Sequence, residues 1–181
     1  MSKHDVESED AMVDYVEGRY FGKYRGVVVG VDDVQRRGRI KVRVPSILRE
    51  NAVWALPCVP YAGDGVGTFF LPDEGALVWI EFEGGDLSYP IWVGCFWKKD
   101  AIPAADHKPN VKFIKTKKAT IRIDDDEGVL EISNSAGAKI TLDLNTIKSE
   151  APASISSQVK TKTTELSSTQ FEVNKGIFQV K

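Results

Sequence analysis

Hydrophobic and polar residues alternate along most of the chain, and the pattern of this alternation changes near residue 100. Between Tyr24 and Trp97, short β-branched and aromatic runs are separated by turns rich in glycine and aspartate. The clearest run puts three apolar side chains on one face and three basic ones on the other, namely Ile40, Val42 and Val44 against Arg39, Lys41 and Arg43. Short strands at this spacing predict a small barrel of five or six strands, of the OB type.

Further along, between residues 113 and 144, the two-residue period continues in three successive runs. The apolar positions of each run share one face of its strand, and they are Ile121, Ile123, Leu130, Ile132, Ile140, Leu142 and Leu144. The intervening segments, Asp124–Gly128 and Asn134–Gly137, predict hairpins or corners. The remaining chain is too short to cover this apolar face, so we expect another copy of the chain or a partner to cover it.

These patterns predict an all-β chain in four segments. Residues 1–19 form a flexible acidic segment, residues 20–100 the barrel, residues 101–112 a polar linker, and residues 113–181 the second β-region. Apolar positions become sparser toward the end. The last of them are expected to lie at an exposed, partly apolar tip: Ile177, Phe178 and Val180.

The net charge of -2 argues against a dedicated nucleic-acid-binding protein, which normally carries a basic excess. The first 17 residues are acidic and lack an apolar run, so we expect synthesis in the cytoplasm without a signal peptide. No run approaches the roughly 20 apolar residues that span a bilayer.

Candidate chemistry is scarce. Cys58 and Cys95 lie in apolar runs, which favours two buried thiols over a disulfide or a metal site. The histidines, His4 and His107, lie in polar segments where exposed histidine is the usual case. The acidic run Asp124–Glu127 favours a turn over a calcium loop. We therefore expect no metal and no cofactor.

Two segments superficially suggest an enzyme. The loop Gly63–Gly67 has the glycines of a phosphate-binding loop but lacks its lysine and following helix. Glu81, Glu83 and Asp86 could pair as in a glycosidase, but alternating carboxylates on a strand usually serve solubility. We expect no catalytic residues and no enzymatic activity.

Five spaced blocks carry a resemblance to a known family. The blocks are Tyr20–Val28, Gly38–Pro45, Trp54–Pro57, Phe70–Gly75 and Pro90–Gly94. In this order they resemble the central spikes of contractile injection machines. That family includes phage spikes of the baseplate assembly protein V type, the valine–glycine-repeat spikes of type VI secretion, and the spikes of phage-tail-like extracellular particles.

The resemblance implies a structural protein: an OB-fold followed by a homotrimeric, intertwined β-helix that forms a needle. The apolar face described above would be the trimer core. The barrel would dock to a separate baseplate hub through Asp32–Arg37 and the acidic segment, and the needle would puncture the target-cell membrane. A small conical protein, similar to the proline-alanine-alanine-arginine-repeat (PAAR) tips, would cap the needle. The location would be the baseplate of a virion, an extracellular particle or a secretion machine.

The chain departs from the family in three ways. A lysozyme domain is not found between barrel and needle, and hub domains do not precede the barrel, so we expect neither function within this chain. No histidine follows His107, so the iron-binding tip of some phage needles is not expected.

The alternative function is an OB-fold module that binds single-stranded nucleic acid or oligosaccharide. Aromatic side chains could stack on bases, and the candidates are Trp54, Phe69, Trp79, Trp92 and Trp97. Most of them occupy strand positions expected to face a core, and the chain is acidic. The spike interpretation is therefore preferred, with no nucleic acid among the partners.

Overall fold

The computed structural model describes residues 17–174 and 177–180, with the last two of these described by backbone only. The chain divides into two compact units, Met1–Ala101 and Ile102–Lys181. Strands dominate both units. Within the described ranges, no helix is long and apolar enough to cross a membrane.

The first unit contains a closed five-stranded barrel. Its strands in chain order, with a two-stranded finger inserted, are β1 (Tyr24–Gly30), β2 (Ile40–Arg43), β3 (Ala52–Pro57), β4 (Ala62–Gly63), β5 (Val66–Gly67), β6 (Leu77–Phe82) and β7 (Pro90–Phe96). The barrel closes in the order β1-β2-β3-β7-β6, and only the β3–β7 pair is parallel. A short helix, α1 (Pro45–Leu48), follows β2, and a 3₁₀ turn (Glu83–Gly85) joins β6 to β7. The predicted all-β barrel is confirmed.

Alternate residues of each barrel strand fill the interior. Ile40, Val42 and Val44, which the sequence pattern places on one face, are each 0% exposed. The remaining buried core residues come from all four other strands: Val28, Ala55, Val78, Ile80, Phe82 and Trp92. A two-residue period therefore determines which side chains fill the barrel.

The prediction that both cysteines are buried was wrong. Cys58 and Cys95 are free thiols and both are exposed. Cys58 follows the last residue of β3, and Cys95 is the penultimate residue of β7. Apolar neighbours in sequence did not reveal this. Cys58 is out of phase with Ala55 and Val59, which contribute to the core or pack against it, and Cys95 lies next to the last residue of β7. Partial burial still raises the pKa of the Cys95 thiol.

The second unit begins with a five-stranded antiparallel meander. Its strands are β8 (Val111–Lys115), β9 (Ala119–Asp124), β10 (Val129–Asn134), β11 (Lys139–Leu142) and β12 (Ile147–Glu150). They lie in the order β12-β11-β10-β9-β8, so every strand pairs with its neighbours in sequence. The two segments predicted as hairpins or corners form the β9–β10 and β10–β11 hairpins.

Short polar side chains close the hairpin turns of this meander. The Asn134 side chain accepts hydrogen bonds from the backbone N–H groups of Ala136 and Ala138. Asp143 accepts from the N–H groups of Asn145 and Thr146, each at 2.8 Å, and these bonds hold the pKa of its carboxyl below the usual value. This turn ends β11 at Leu142 and places Leu144 in the turn, whereas the sequence pattern continues the strand to Leu144.

A second antiparallel sheet completes the unit. It contains β13 (Ser154–Val159), β14 (Lys162–Ser167), β15 (Phe171–Val173) and β16 (Phe178–Val180), hydrogen-bonded in sequence order. Among the described strands, its outer strand β13 pairs only with β14, and β12 of the preceding sheet pairs only with β11. The second unit thus consists of two sequential meanders.

Candidate functional site

The five-stranded sheet carries two parallel rows of apolar side chains that cross its strands. Residues directly opposite each other on antiparallel strands share a face, with Cβ atoms about 4.5–5.5 Å apart. The first row, from β8 to β11, is Ile114, Ile121, Ile132 and Ile140. The second row, from β9 to β12, is Ile123, Leu130, Leu142 and Ile147. Since the rows are two residues apart, they form one continuous apolar face.

This apolar face is open to solvent in the single chain. Five of its side chains, at positions 121, 123, 132, 140 and 142, keep between 37% and 44% of their surface exposed, and Ile147 keeps 77%. Leu130, near the middle of the second row, is partly buried. Leaving such a surface in water forfeits the free energy of burial, about 1.5–3 kcal/mol for each fully buried side chain. Exposed apolar faces of this extent are typical of contact surfaces in proteins.

The opposite face of the same sheet is largely polar, and ion pairs join several of its charged side chains. Asp106 accepts a hydrogen bond from the Lys115 ammonium at 2.9 Å and lies 3.7 Å from the Arg122 guanidinium. Arg122 also pairs with Asp124 at 2.9 Å. Burial opposes ionisation of Asp124, but hydrogen bonds from the Glu127 N–H and from Arg122 outweigh it, so the pKa of this carboxyl is lowered. In the single chain, the polar face of the sheet is therefore less exposed to solvent than its apolar face.

All seven residues of the expected trimer core lie in this sheet or its turns. Six belong to the two rows, and Leu144 lies in the β11–β12 turn, 81% exposed and against Gly128. Sequence reasoning missed Ile114 and Ile147, which extend the rows to the edge strands. Ile114 follows Phe113, which obscures the alternation, and Ile147 is isolated among polar residues.

The four-stranded sheet also carries residues in rows across its strands, but fewer of these positions are apolar. One row across it contains Ile155, Leu166, Phe171 and Val180. The next contains Ser157, Thr164, Val173 and Phe178, so half of this row is polar. Of the expected tip residues, Ile177 and Phe178 are 80% and 57% exposed, and the backbone of Val180 lies opposite Phe171.

The barrel loop expected to face a hub, Asp32–Arg37, is built around Asp33. Its carboxylate accepts hydrogen bonds from the backbone N–H groups of Gln35, Arg37 and Arg39. It also accepts from Nε and Nη2 of the Arg39 guanidinium, at 3.0 and 2.7 Å. The Arg39 side chain, more than these backbone groups, holds the pKa of Asp33 far below its usual value. The loop is therefore anchored, while Val34 at its crest is 91% exposed.

Of the five aromatic residues considered for base stacking, Trp92 alone belongs to the buried core, and Trp54 and Trp79 are only partly buried. Trp92 is 6% exposed, whereas Phe69 and Trp97 are 72% and 66% exposed. The expectation that most of these side chains face a core was therefore wrong. Phe69 lies in the loop after the β4–β5 finger, and Trp97 lies just beyond β7, where neither side chain can reach the barrel interior.

Metal and catalytic groups were expected to be absent. In the described part of the chain, no group of three or more histidine, cysteine, aspartate or glutamate residues is arranged to hold a metal ion. The acidic segment of residues 1–19 lies largely outside the described residues, so its predicted role in hub docking stays a prediction.

Comparison with known protein families finds a match for the barrel. Residues 24–97 match the family described as the type VI secretion system/phage-baseplate injector OB domain. No curated protein matches the chain. The match confirms the resemblance read from the five sequence blocks over these residues, and it supports a structural, baseplate-related role in a virion or secretion particle.

Proposed function

Because residues 24–97 match the type VI secretion system/phage-baseplate injector OB domain, we propose that this chain is the homotrimeric central spike of a contractile injection machine. In this role the barrel docks to the baseplate hub and the second unit forms the needle that punctures the target envelope. The observation that carries the proposal is the open apolar face of the five-stranded sheet.

Three copies would bury this face against one another. Each copy would turn its two apolar rows toward a common axis and its charged face toward water, which is the arrangement that the pairing of Asp106, Arg122 and Asp124 favours. Two stacked sheets would also cover the rows. The choice of three rests on the family resemblance, and so does the winding of the chains into a β-helix.

A closed three-chain needle suits a mechanical task. Its backbone hydrogen bonds would be shared along the whole sheet surface, and its strand edges would be covered by neighbouring structure. Force applied along the axis would then act on many hydrogen bonds together. The function would need stiffness and a shared apolar core, and neither a catalytic group nor a cofactor.

The hub would bind the barrel. The anchored loop Asp32–Arg37 offers a preformed surface with the exposed Val34 at its crest, so binding would order few new groups. The opposite end of the needle would present Ile177 and Phe178, exposed apolar residues that a conical tip protein could cover by β-augmentation.

The direct test is the mass of the full chain in solution. Sedimentation at micromolar concentration should give a particle three times the chain mass of 20.0 kDa, about 60 kDa in total. A monomer would leave the apolar face without the cover on which the proposal depends. A dimer would show that the sheets stack in pairs, and it would overturn the three-chain needle.

A further inference from the structure

A groove on the barrel combines an apolar lining with two cationic groups. It has a volume of about 510 Å³ and lies between the Asp32–Arg37 loop and the segment Tyr61–Leu71. Trp92 lines it from the barrel, and its indole N–H donates a hydrogen bond to the Gly38 carbonyl at 3.3 Å. Arg36 and Arg37 are the only charged residues among those that line the groove.

The aromatic side of the groove is exposed rather than packed. Tyr61, Phe69 and Phe70 are 58%, 72% and 61% exposed. They flank the β4–β5 finger, whose base is closed by a hydrogen bond from Thr68 N–H to the Tyr61 carbonyl at 2.9 Å. Gly67 has φ +151, and a Cβ there would lie 2.9 Å from that carbonyl oxygen, so the close approach requires glycine. The aromatic side chains are therefore held on a defined backbone.

The two arginines also sit on a fixed backbone. Arg36 donates its backbone N–H to the Asp33 carbonyl, and Arg37 donates its own to the Asp33 carboxylate. Among the described residues no ion pair engages either guanidinium, whereas Arg39 is paired with Asp33. The groove thus offers apolar contact area and two positive charges, which suits an acidic peptide with interspersed apolar side chains.

The chain itself contains a segment of this composition. Residues 1–17 carry one lysine and six carboxylates, interspersed with apolar residues: Val6, Met12, Val13, Tyr15 and Val16. From these observations we propose that the acidic N-terminal segment of this chain docks into the groove, with its carboxylates near Arg36 and Arg37 and its apolar side chains against Phe69 and Phe70.

The point where this segment joins the barrel is compatible with the proposal. Tyr20 donates its N–H to the Gly85 carbonyl at 2.9 Å, in the turn between β6 and β7. Trp92, in the groove, is the third residue of β7, which begins just beyond that turn. The 19 residues that precede Tyr20 can extend about 60 Å, so the segment can reach the groove of its own barrel or of a neighbouring copy. Docking requires neither the trimer nor the hub.

Photo-crosslinking in the full chain tests the proposal. A benzophenone amino acid is placed at Phe70, and a matched one is placed at Trp97, which is similarly exposed but does not line the groove. We expect adducts from position 70 to residues 1–17, and few from position 97. An adduct with the mass of one chain indicates the chain's own groove, and one with twice that mass a neighbour's groove; both support docking.

Charge variants decide whether the docking is specific. R36E together with R37E should lower the yield of the position-70 adduct at least about tenfold, because two attractive contacts become repulsive. The matched variant R43E, whose side chain is exposed outside the groove, should leave the yield unchanged. A third variant leaves the barrel intact and replaces five of the segment's six carboxylates by amides: D5N, E7Q, E9Q, D10N and D14N. It should lose the adduct as well.

Three results would overturn the proposal. One is an equal yield from positions 70 and 97, and another is a yield unaffected by R36E/R37E. The third concerns a folded chain that gives no adduct with the segment. If the groove of this chain instead binds a labelled single-stranded oligonucleotide, and this binding depends on Arg36 and Arg37, the proposal is wrong. That result would assign the groove to nucleic acid.

Discussion

Leu130 and Leu142 lie directly opposite each other on β10 and β11, at the centre of the second apolar row. Leu130 is partly buried by its neighbours, whereas Leu142 keeps 37% of its surface exposed. Within a single chain, the sheet therefore buries Leu130 better than Leu142. Completing the burial of Leu142 requires atoms from outside the chain, and this makes it a sensitive position for testing the trimer.

L142D should prevent trimer formation, whereas T141D should permit it. The first variant would bring three carboxylates to the shared core and remove about 1.5–3 kcal/mol of burial per chain. The second lies on the charged face, opposite Glu131 and Lys148. Sedimentation mass and thermal melting of both variants are the measurements. Equal behaviour of the two would mean that the apolar rows do not form the interface.

D33N should lower the melting temperature of the barrel more than its exposed neighbour variant D32N. Asp33 anchors the loop through three backbone N–H groups and the Arg39 guanidinium, which an amide side chain cannot satisfy in the same way. Melting monitored by tryptophan fluorescence at pH 7 compares the two. If D33N melts no earlier than D32N, the anchoring of this loop contributes nothing to stability.

The same pair of variants predicts a pH dependence. The folded-state pKa of Asp33 lies below its ordinary value of 3.8, so its stabilising contribution is complete above that value and is lost as pH falls toward the folded-state pKa. The native chain should therefore lose part of its stability below pH 4, and D33N should lose less over the same interval. Denaturant unfolding at pH 7, 4 and 3 measures the difference, with D32N as control. Parallel curves for D33N and the native chain would exclude Asp33 as the cause.

A truncated chain ending at Trp97 should retain binding to the baseplate hub. The barrel closes within residues 24–96, and its proposed docking loop Asp32–Arg37 is anchored by contacts inside that range. A pull-down with the hub protein tests this, after circular dichroism has shown that the truncated chain is folded. Complete loss of hub binding by the folded fragment would transfer the docking surface to the second unit.

A chain lacking residues 176–181 should fail to recruit a conical tip protein that the full chain recruits. Phe178 is exposed, and β16 forms the last strand of its sheet, so a partner can add β-structure there. Co-expression and pull-down with candidate tip proteins is the measurement, with sedimentation to show that the shortened chain assembles normally. If both forms recruit the partner equally, or if neither does, the cap is not formed at these residues.

The amino-acid sequence by itself determined most of the strands and, for most core positions, the face on which the side chain lies. A strand sends successive side chains to opposite sides, so the alternation of Ile40, Val42 and Val44 was sufficient to assign them to the barrel core. The same local rule placed Ile121 and Ile123, Leu130 and Ile132, and Ile140 and Leu142 on common faces. Turn residues such as Asn134 act within a few positions, so the hairpins were also predictable.

Only the tertiary structure decided which of these residues become neighbours. Strand register aligned the separate pairs into two continuous rows and added Ile114 and Ile147, because register depends on hydrogen bonds between strands and on the length of the turns. Cys58 and Cys95 are exposed despite their apolar surroundings in sequence, because packing against the barrel core decides which strand positions are buried. The groove required three distant parts of the chain, near residues 36, 70 and 92, to meet on one side of a closed barrel. No local pattern encodes that meeting, since barrel closure brings together residues that are far apart along the chain.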